Sequence, residues 1–104
     1  MTLQRISLTN NPGQKFSTVV GGIRSVFHFR YNTVSERFYF SIQINDEWVL
    51  QGRTLTTNVD LISNYPEISK IMGNLFCVDI DARGRDATIE NIVSGDVRIF
   101  LNTP

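Results

Sequence analysis

Residues 37–44 read Arg-Phe-Tyr-Phe-Ser-Ile-Gln-Ile, so Phe38, Phe40, Ile42 and Ile44 occupy alternate positions with Tyr39, Ser41 and Gln43 between them. A period of two belongs to a strand, because successive side chains leave a pleated backbone on opposite faces. A helix would set Phe38 and Phe40 about 200° apart and bury neither against a common neighbour. The same alternation runs just upstream, with Phe27, Phe29 and Tyr31 on one face and Val26, His28 and Arg30 on the other. Residues 32–36 join the two runs and predict a turn. Two such strands with one apolar face each must share a core, and that restricts the chain to an antiparallel sheet with something packed on one side.

The flanking segments extend the pattern. Leu3, Ile6 and Leu8 predict a short opening edge strand, and Asn10-Asn11-Pro12-Gly13 predicts a turn. Residues 16–20 read as strand, and Gly21-Gly22 marks a two-residue hairpin. Asn45-Asp46 predicts another tight turn before Trp48, Val49 and Leu50, and Gly52 marks a bulge before an extended stretch at 54–57. Asp60 resembles a helix N-cap and Pro66 a stop, which predicts one short helix over residues 60–65. Strand character returns at 75–80 and 97–101. Residues 87–93 fit a helical turn as well as a loop. The expectation is an all-β fold, a small antiparallel barrel or sandwich with one short helix, formed as a single domain over residues 1–104.

Composition excludes several functions. The 104 residues and 11.8 kDa suit one domain, and 41% apolar with 11% aromatic residues supplies a core. Cys77 is the single cysteine, which rules out an internal disulfide and any multi-cysteine metal site. The first ten residues carry Arg5 but no apolar run, so no signal peptide is expected, and no stretch reaches the ~18 apolar residues of a membrane span. Ten cations balance ten carboxylates, which argues against a simple basic nucleic-acid binder. The balance hides an asymmetry: five cations face one carboxylate up to Ile44, and five face nine thereafter. Eight of the ten cations are Arg, the one suited to bidentate pairing across an interface. Complementary halves either interleave within one fold or meet across a subunit boundary.

No catalytic motif stands out, and no enzymatic activity or cofactor is expected. Residues 79–90 place Asp79 and Asp81 at positions 1 and 3, Gly84 at 6 and Glu90 at 12, as in a calcium loop. Arg83 stands at position 5, where an oxygen ligand is required, and the preceding residues read as strand. A polar β-turn with Gly84 at positive φ is therefore expected there. His28 and Cys77 are the one histidine and the one cysteine, and nothing in the sequence brings them together. Cys77 between Phe76 and Val78 reads as a buried small hydrophobe, and His28 as an ordinary polar-face residue. Gly21-Gly22 lacks the Lys-Ser/Thr and helix of a phosphate loop.

Arg24, Arg30 and Arg37 interleave with Phe27, Phe29, Tyr31, Phe38, Tyr39 and Phe40, a pattern also used by OB-type barrels that stack single-stranded nucleic acid. The shared parity of the phenylalanines within each strand favours a core instead.

The order of segments carries a further signal. It runs from Asn11-Pro-Gly-Gln-Lys-Phe16 through Gly21-Gly22 to Phe27-His-Phe-Arg-Tyr-Asn32 and Arg37-Phe-Tyr-Phe-Ser-Ile42. Leu50-Gln-Gly-Arg-Thr-Leu55, Val59-Asp-Leu-Ile-Ser-Asn-Tyr65 and a closing strand over 91–101 follow. This order resembles the baseplate plug family of contractile-tailed bacteriophages across residues 6–101. Residues 66–74 depart from it, where a more glycine-rich turn is expected. The resemblance implies a structural virion protein, made in the host cytoplasm and placed near the axis of the tail tip. Its implied partners are the tail tube, hub or spike proteins and further copies of itself; no membrane partner is expected, and an OB-like single-stranded nucleic-acid-binding module is the alternative reading. Within a homo-oligomer, Arg24, Arg30 and Arg37 are expected to meet Asp79, Asp81 and Asp86 of a neighbouring copy.

Overall fold

The computed structural model describes residues 2–104 and contains seven strands and two short helices within them. The strands are β1 (Thr2–Ile6), β2 (Gly13–Val20), β3 (Ile23–Asn32), β4 (Arg37–Ile44), β5 (Glu47–Thr54), β6 (Asn74–Asp79) and β7 (Val97–Thr103). The helices are α1 (Pro66–Met72) and α2 (Ile89–Ser94). β2 to β5 form a four-stranded meander, and β1, β7 and β6 form a second sheet with β7 in the middle. All pairings are antiparallel. The all-β expectation holds, and of its two architectures the sandwich is the one adopted. The predicted opening edge strand is β1, at the margin of the smaller sheet.

Turn chemistry fixes the register of the meander. Gly21 and Gly22 both have positive φ, at 57° and 81°, which is the backbone a right-twisted two-residue hairpin requires. Asn45 and Asp46 do the same at 52° and 66°. At the β3–β4 turn, the Asn32 carboxamide oxygen accepts from the Val34 and Ser35 amides at 2.9 and 3.2 Å. The predicted bulge appears opposite Ser41, whose hydroxyl oxygen accepts from the Gly52 amide at 2.9 Å. A second register shift between Ile42 and Gln43 leaves Val49 unmatched, so β5 carries two irregularities along its outer edge.

The alternation seen in the sequence becomes the core. Phe27 pairs across strands with Ile42, Phe29 with Phe40 and Tyr31 with Phe38. All four phenylalanines are at most 1% exposed. They pack in one cluster with Ile6, Leu75, Cys77, Val97, Ile99 and Leu101 of the other sheet. Burying each such side chain contributes roughly 1.5–3 kcal/mol.

The chain crosses between sheets after β5. Leu55 donates its amide to the Phe38 carbonyl, and Thr57 and Asp60 then form isolated bridges with Cys77 and Phe76. This crossover covers the outer edge of β6, and it is why the sheets stay distinct instead of closing into a barrel.

The helix prediction is corrected. Residues 60–65 do not form the helix; Asp60 instead accepts from the Ile62 amide at 3.1 Å and from the Asn74 carboxamide at 2.6 Å, which makes it a turn residue. Pro66 opens α1 instead of ending a helix, since the first helical position has no amide partner to lose. α1 also occupies the stretch 66–74 that departs from the family pattern. The ambiguous segment at 87–93 resolves largely as α2, capped by the Thr88 hydroxyl oxygen accepting from the Asn91 amide at 3.2 Å. The fold thus has two short helices where one was expected.

Candidate assembly interface

Alternation decides what the meander shows outward as well as what it buries. Lys15, Ser17 and Val19 of β2 stand on the face opposite the core, beside Arg24, Val26, His28 and Arg30 of β3. Tyr39, Ser41 and Gln43 of β4 continue that face, and Trp48 of β5 lies opposite Gln43. The phenylalanines of the proposed stacking platform are therefore core, and the arginines project from the other side. Only Tyr39 of the β4 aromatics shares their face.

Charge on this face is largely unneutralised. Arg24 approaches Asp46 at 3.6 Å, but both side chains are well exposed, so that pair contributes at most ~1 kcal/mol. The side chains of Lys15, Arg30 and Arg37 make no ion pair or hydrogen bond among the described residues. At its centre Val26 is buried although it lies outside the main core cluster. His28 is tied to Gln43 at 2.7 Å and packs on Trp48 with ring centroids 4.7 Å apart. It is half-buried and held on two sides, more constrained than the ordinary exposed histidine its alternation suggested.

The carboxylates expected as their partners sit at the end of the other sheet. β6 ends at Asp79, whose side chain is fully buried and held by Arg85 of the same chain. The Arg85 amide donates to Asp79 Oδ2 at 2.8 Å, and Nε and Nη2 both reach Oδ1 at 2.9 Å. Asp96 approaches the same guanidinium at 3.2 Å and Asp81 at 4.0 Å. The Arg85 amide hydrogen bond, with the guanidinium's hydrogen bond and charge, holds the Asp79 carboxyl below the usual carboxylate range against the opposing effect of burial. In the same setting the Arg85 guanidinium is held above its ordinary value, chiefly by its hydrogen bond to Asp79.

Of the expected interface residues, the structure gathers Asp79 and Asp81 around Arg85 and leaves Arg24, Arg30 and Arg37 on the far sheet. Asp79 belongs to the interior, while Asp81 and Asp86 are exposed. Gly84 has the positive φ expected of a turn, 73°, and Asp79 and Asp81, the first two carboxylates that resembled a calcium loop, converge on a guanidinium. Four of the five cations before Asn45 thus lie on the meander, whereas the carboxylates after it are spread over the β4–β5 hairpin, the crossover, the helices and the loops around β6 and β7. Cys77 lies in the core, where burial pushes its thiol up to about 12, and His28 is on the outer face of the opposite sheet.

Two features escaped the sequence. Arg85 could not be singled out from Arg83, because the pairing depends on loop geometry. A shallow groove of about 810 Å³ lies between the β4–β5 hairpin and α1, with Ile44, Val49, Tyr65, Ile68 and Ile71 lining it and Glu47 and Glu67 its charged groups. It could not be anticipated without knowing where α1 forms.

A family model described as cyanophage baseplate Pam3 plug gp18 matches residues 3–104 of the chain. No curated protein matches it.

Proposed function

Because the chain belongs to the cyanophage baseplate plug family, we propose that it serves as a structural component of a contractile tail tip, assembled near the tube axis with hub, spike or tube proteins and with copies of itself. The family is one of phage baseplate structural proteins, and its place is the virion tail baseplate. In this reading the protein acts by contact and not by catalysis, helping to close the channel until the tail contracts.

The observation that supports assembly is the set of unpaired cations, Lys15, Arg30 and Arg37, on an open sheet face. Exposed arginines of this kind steer and register an acidic partner surface. Asp81 and Asp86 of a neighbouring copy are the mates expected from the sequence; Asp79, held by Arg85, positions their loop. Among the described residues no helix is long and apolar enough to cross a membrane.

Mass spectrometry of purified virions tests the assignment: the chain is expected in tail particles, and its absence from them would overturn the reading. Titration with single-stranded DNA at low salt separates the rival class. Strong, steeply salt-dependent binding would favour a nucleic-acid module, whose affinity falls with each phosphate contact screened.

A further inference from the structure

The β3–β4 hairpin ends in a projecting apolar side chain. Val34 is 94% exposed, yet its backbone is fixed by the two amides that donate to the Asn32 carboxamide oxygen. Arg37 opens β4 directly opposite Asn32, and Arg30 lies one outward position back along β3. Arg30 and Arg37 are therefore diagonal neighbours on one face, flanking the tip, with Glu36 as the turn's one carboxylate. An exposed valine on an ordered turn between two unpaired arginines suits a recess that pairs apolar residues with carboxylates.

Such a recess exists at the other end of the same strand. The groove between the β4–β5 hairpin and α1 is lined by Ile44, Val49, Ile68 and Ile71 together with Asn45 and Asn64, and its charged lining residues, Glu47 and Glu67, are both carboxylates. Val49, unmatched in the β4–β5 register and 40% exposed, adds apolar surface there. The nearby cation Arg53 is drawn onto the Tyr65 ring, 5.5 Å from its centroid. β4 runs from Arg37 at the tip to Ile44 at the groove, a separation of roughly 23 Å at ~3.3 Å per residue. One copy cannot fill its own groove.

We infer that the Val34 hairpin tip of one copy docks in the Glu47–Glu67 groove of a second, Arg30 and Arg37 pairing with those carboxylates. This rests on the self-assembly part of the proposed function and assigns it a different acidic surface from the 79–86 loop. Because tip and groove are different surfaces, the contact is heterologous and repeats head to tail, closing into a ring or running on as a filament. A hairpin tip makes a small interface, so association is weak and concentration-dependent.

Sedimentation velocity over a wide range of protein and salt concentration tests it with charge-reversed pairs. All the altered residues are exposed, and circular dichroism verifies that each variant folds. The wild-type chain is expected to self-associate, less so at high salt. Val34→Asp, the double variant Arg30→Glu/Arg37→Glu, and the double variant Glu47→Lys/Glu67→Lys should each weaken association by ~tenfold or more. Mixing the two charge-reversed doubles should restore it, since each then offers the other a matched tip and groove. Weakened self-association of Asp81→Lys/Asp86→Lys, with Glu47→Lys/Glu67→Lys associating like the wild type, would overturn the inference while leaving the proposed function standing. A wild-type chain that stays monomeric throughout would also overturn it, whereas absence from virions would remove the underlying reading itself.

Discussion

Arg85 holds Asp79 from both its backbone and its side chain: the amide donates to Oδ2 at 2.8 Å while Nε and Nη2 share Oδ1 at 2.9 Å. The loop that leaves β6 therefore folds back on the last residue of that strand. The Ile80 amide adds a bond to the Asp96 carbonyl, and Asp96 itself touches the guanidinium. One arginine thus ties the end of β6, the 80–88 loop and the start of β7.

Acid should loosen this tie first. The Asp79 carboxyl is held below its ordinary value, so its contribution to stability is complete above the unfolded value of about 3.9 and is lost as pH falls through the lower folded value. Urea midpoints measured at neutral pH and at steps below pH 4 should fall for the wild type. Asp79→Asn should be less stable at neutral pH and should show a flatter acid limb. Arg85→Ala should lower Tm at neutral pH more than Arg83→Ala, whose side chain has no ion pair among the described residues.

The core sets a second expectation. Phe40 is 1% exposed and pairs with Phe29 across the centre of the meander. Phe40→Ala should cost ~3–5 kcal/mol by chemical denaturation, from lost burial plus the cavity left behind. Against a typical domain stability of ~5–15 kcal/mol, that leaves a marginal fold. Val34→Asp, at a fully projecting turn position, should stay within ~0.5 kcal/mol of wild type.

The difference between those two residues also shows what sequence reading can reach. Phe27, Phe29, Phe38 and Phe40 were legible as core because period-two alternation is a local consequence of strand geometry. Gly21-Gly22 and Asn45-Asp46 were legible because a two-residue hairpin demands positive φ. Asp60 and Pro66 misled because each residue type serves two local structures: aspartate caps helices and also makes turns, and proline both stops and starts helices. The Arg85 tie and the groove over α1 were not legible, since both depend on segments distant in sequence meeting after the chain has crossed between sheets. The charge asymmetry lies between these cases. It was visible as a count, while its distribution over strands, loops and helices needed the topology.

Cys77 supplies a chemical probe of opening. It is fully buried, and burial pushes its thiol up to about 12. The neutral thiol is the form the fold favours, so this stabilisation is intact below the unfolded value of about 8.5 and fades as pH rises towards the folded one. At pH 8 a thiol reagent should label the native protein slowly, with one equivalent released promptly on adding denaturant. Prompt labelling without denaturant would mean that β6 is open to solvent.

Gly73 should be the least replaceable glycine. It caps α1 at φ 87°, and a Cβ there would collide with the Asn102 carbonyl oxygen of β7. Backbone cannot yield as a flexible side-chain end can, so the α1–β6 junction would have to separate from β7. Gly22 has a similar φ of 81°, but a Cβ there has nothing within 4 Å. Gly22→Ala should cost only the conformational strain, ~1–2 kcal/mol. Gly73→Ala adds a steric clash to the strain of a φ 87°, ψ −120° backbone that lies outside the left-handed helical region and should cost clearly more, and paired urea melts of the two variants measure the difference. Equal losses would mean that α1 and β7 are not pressed together at this point.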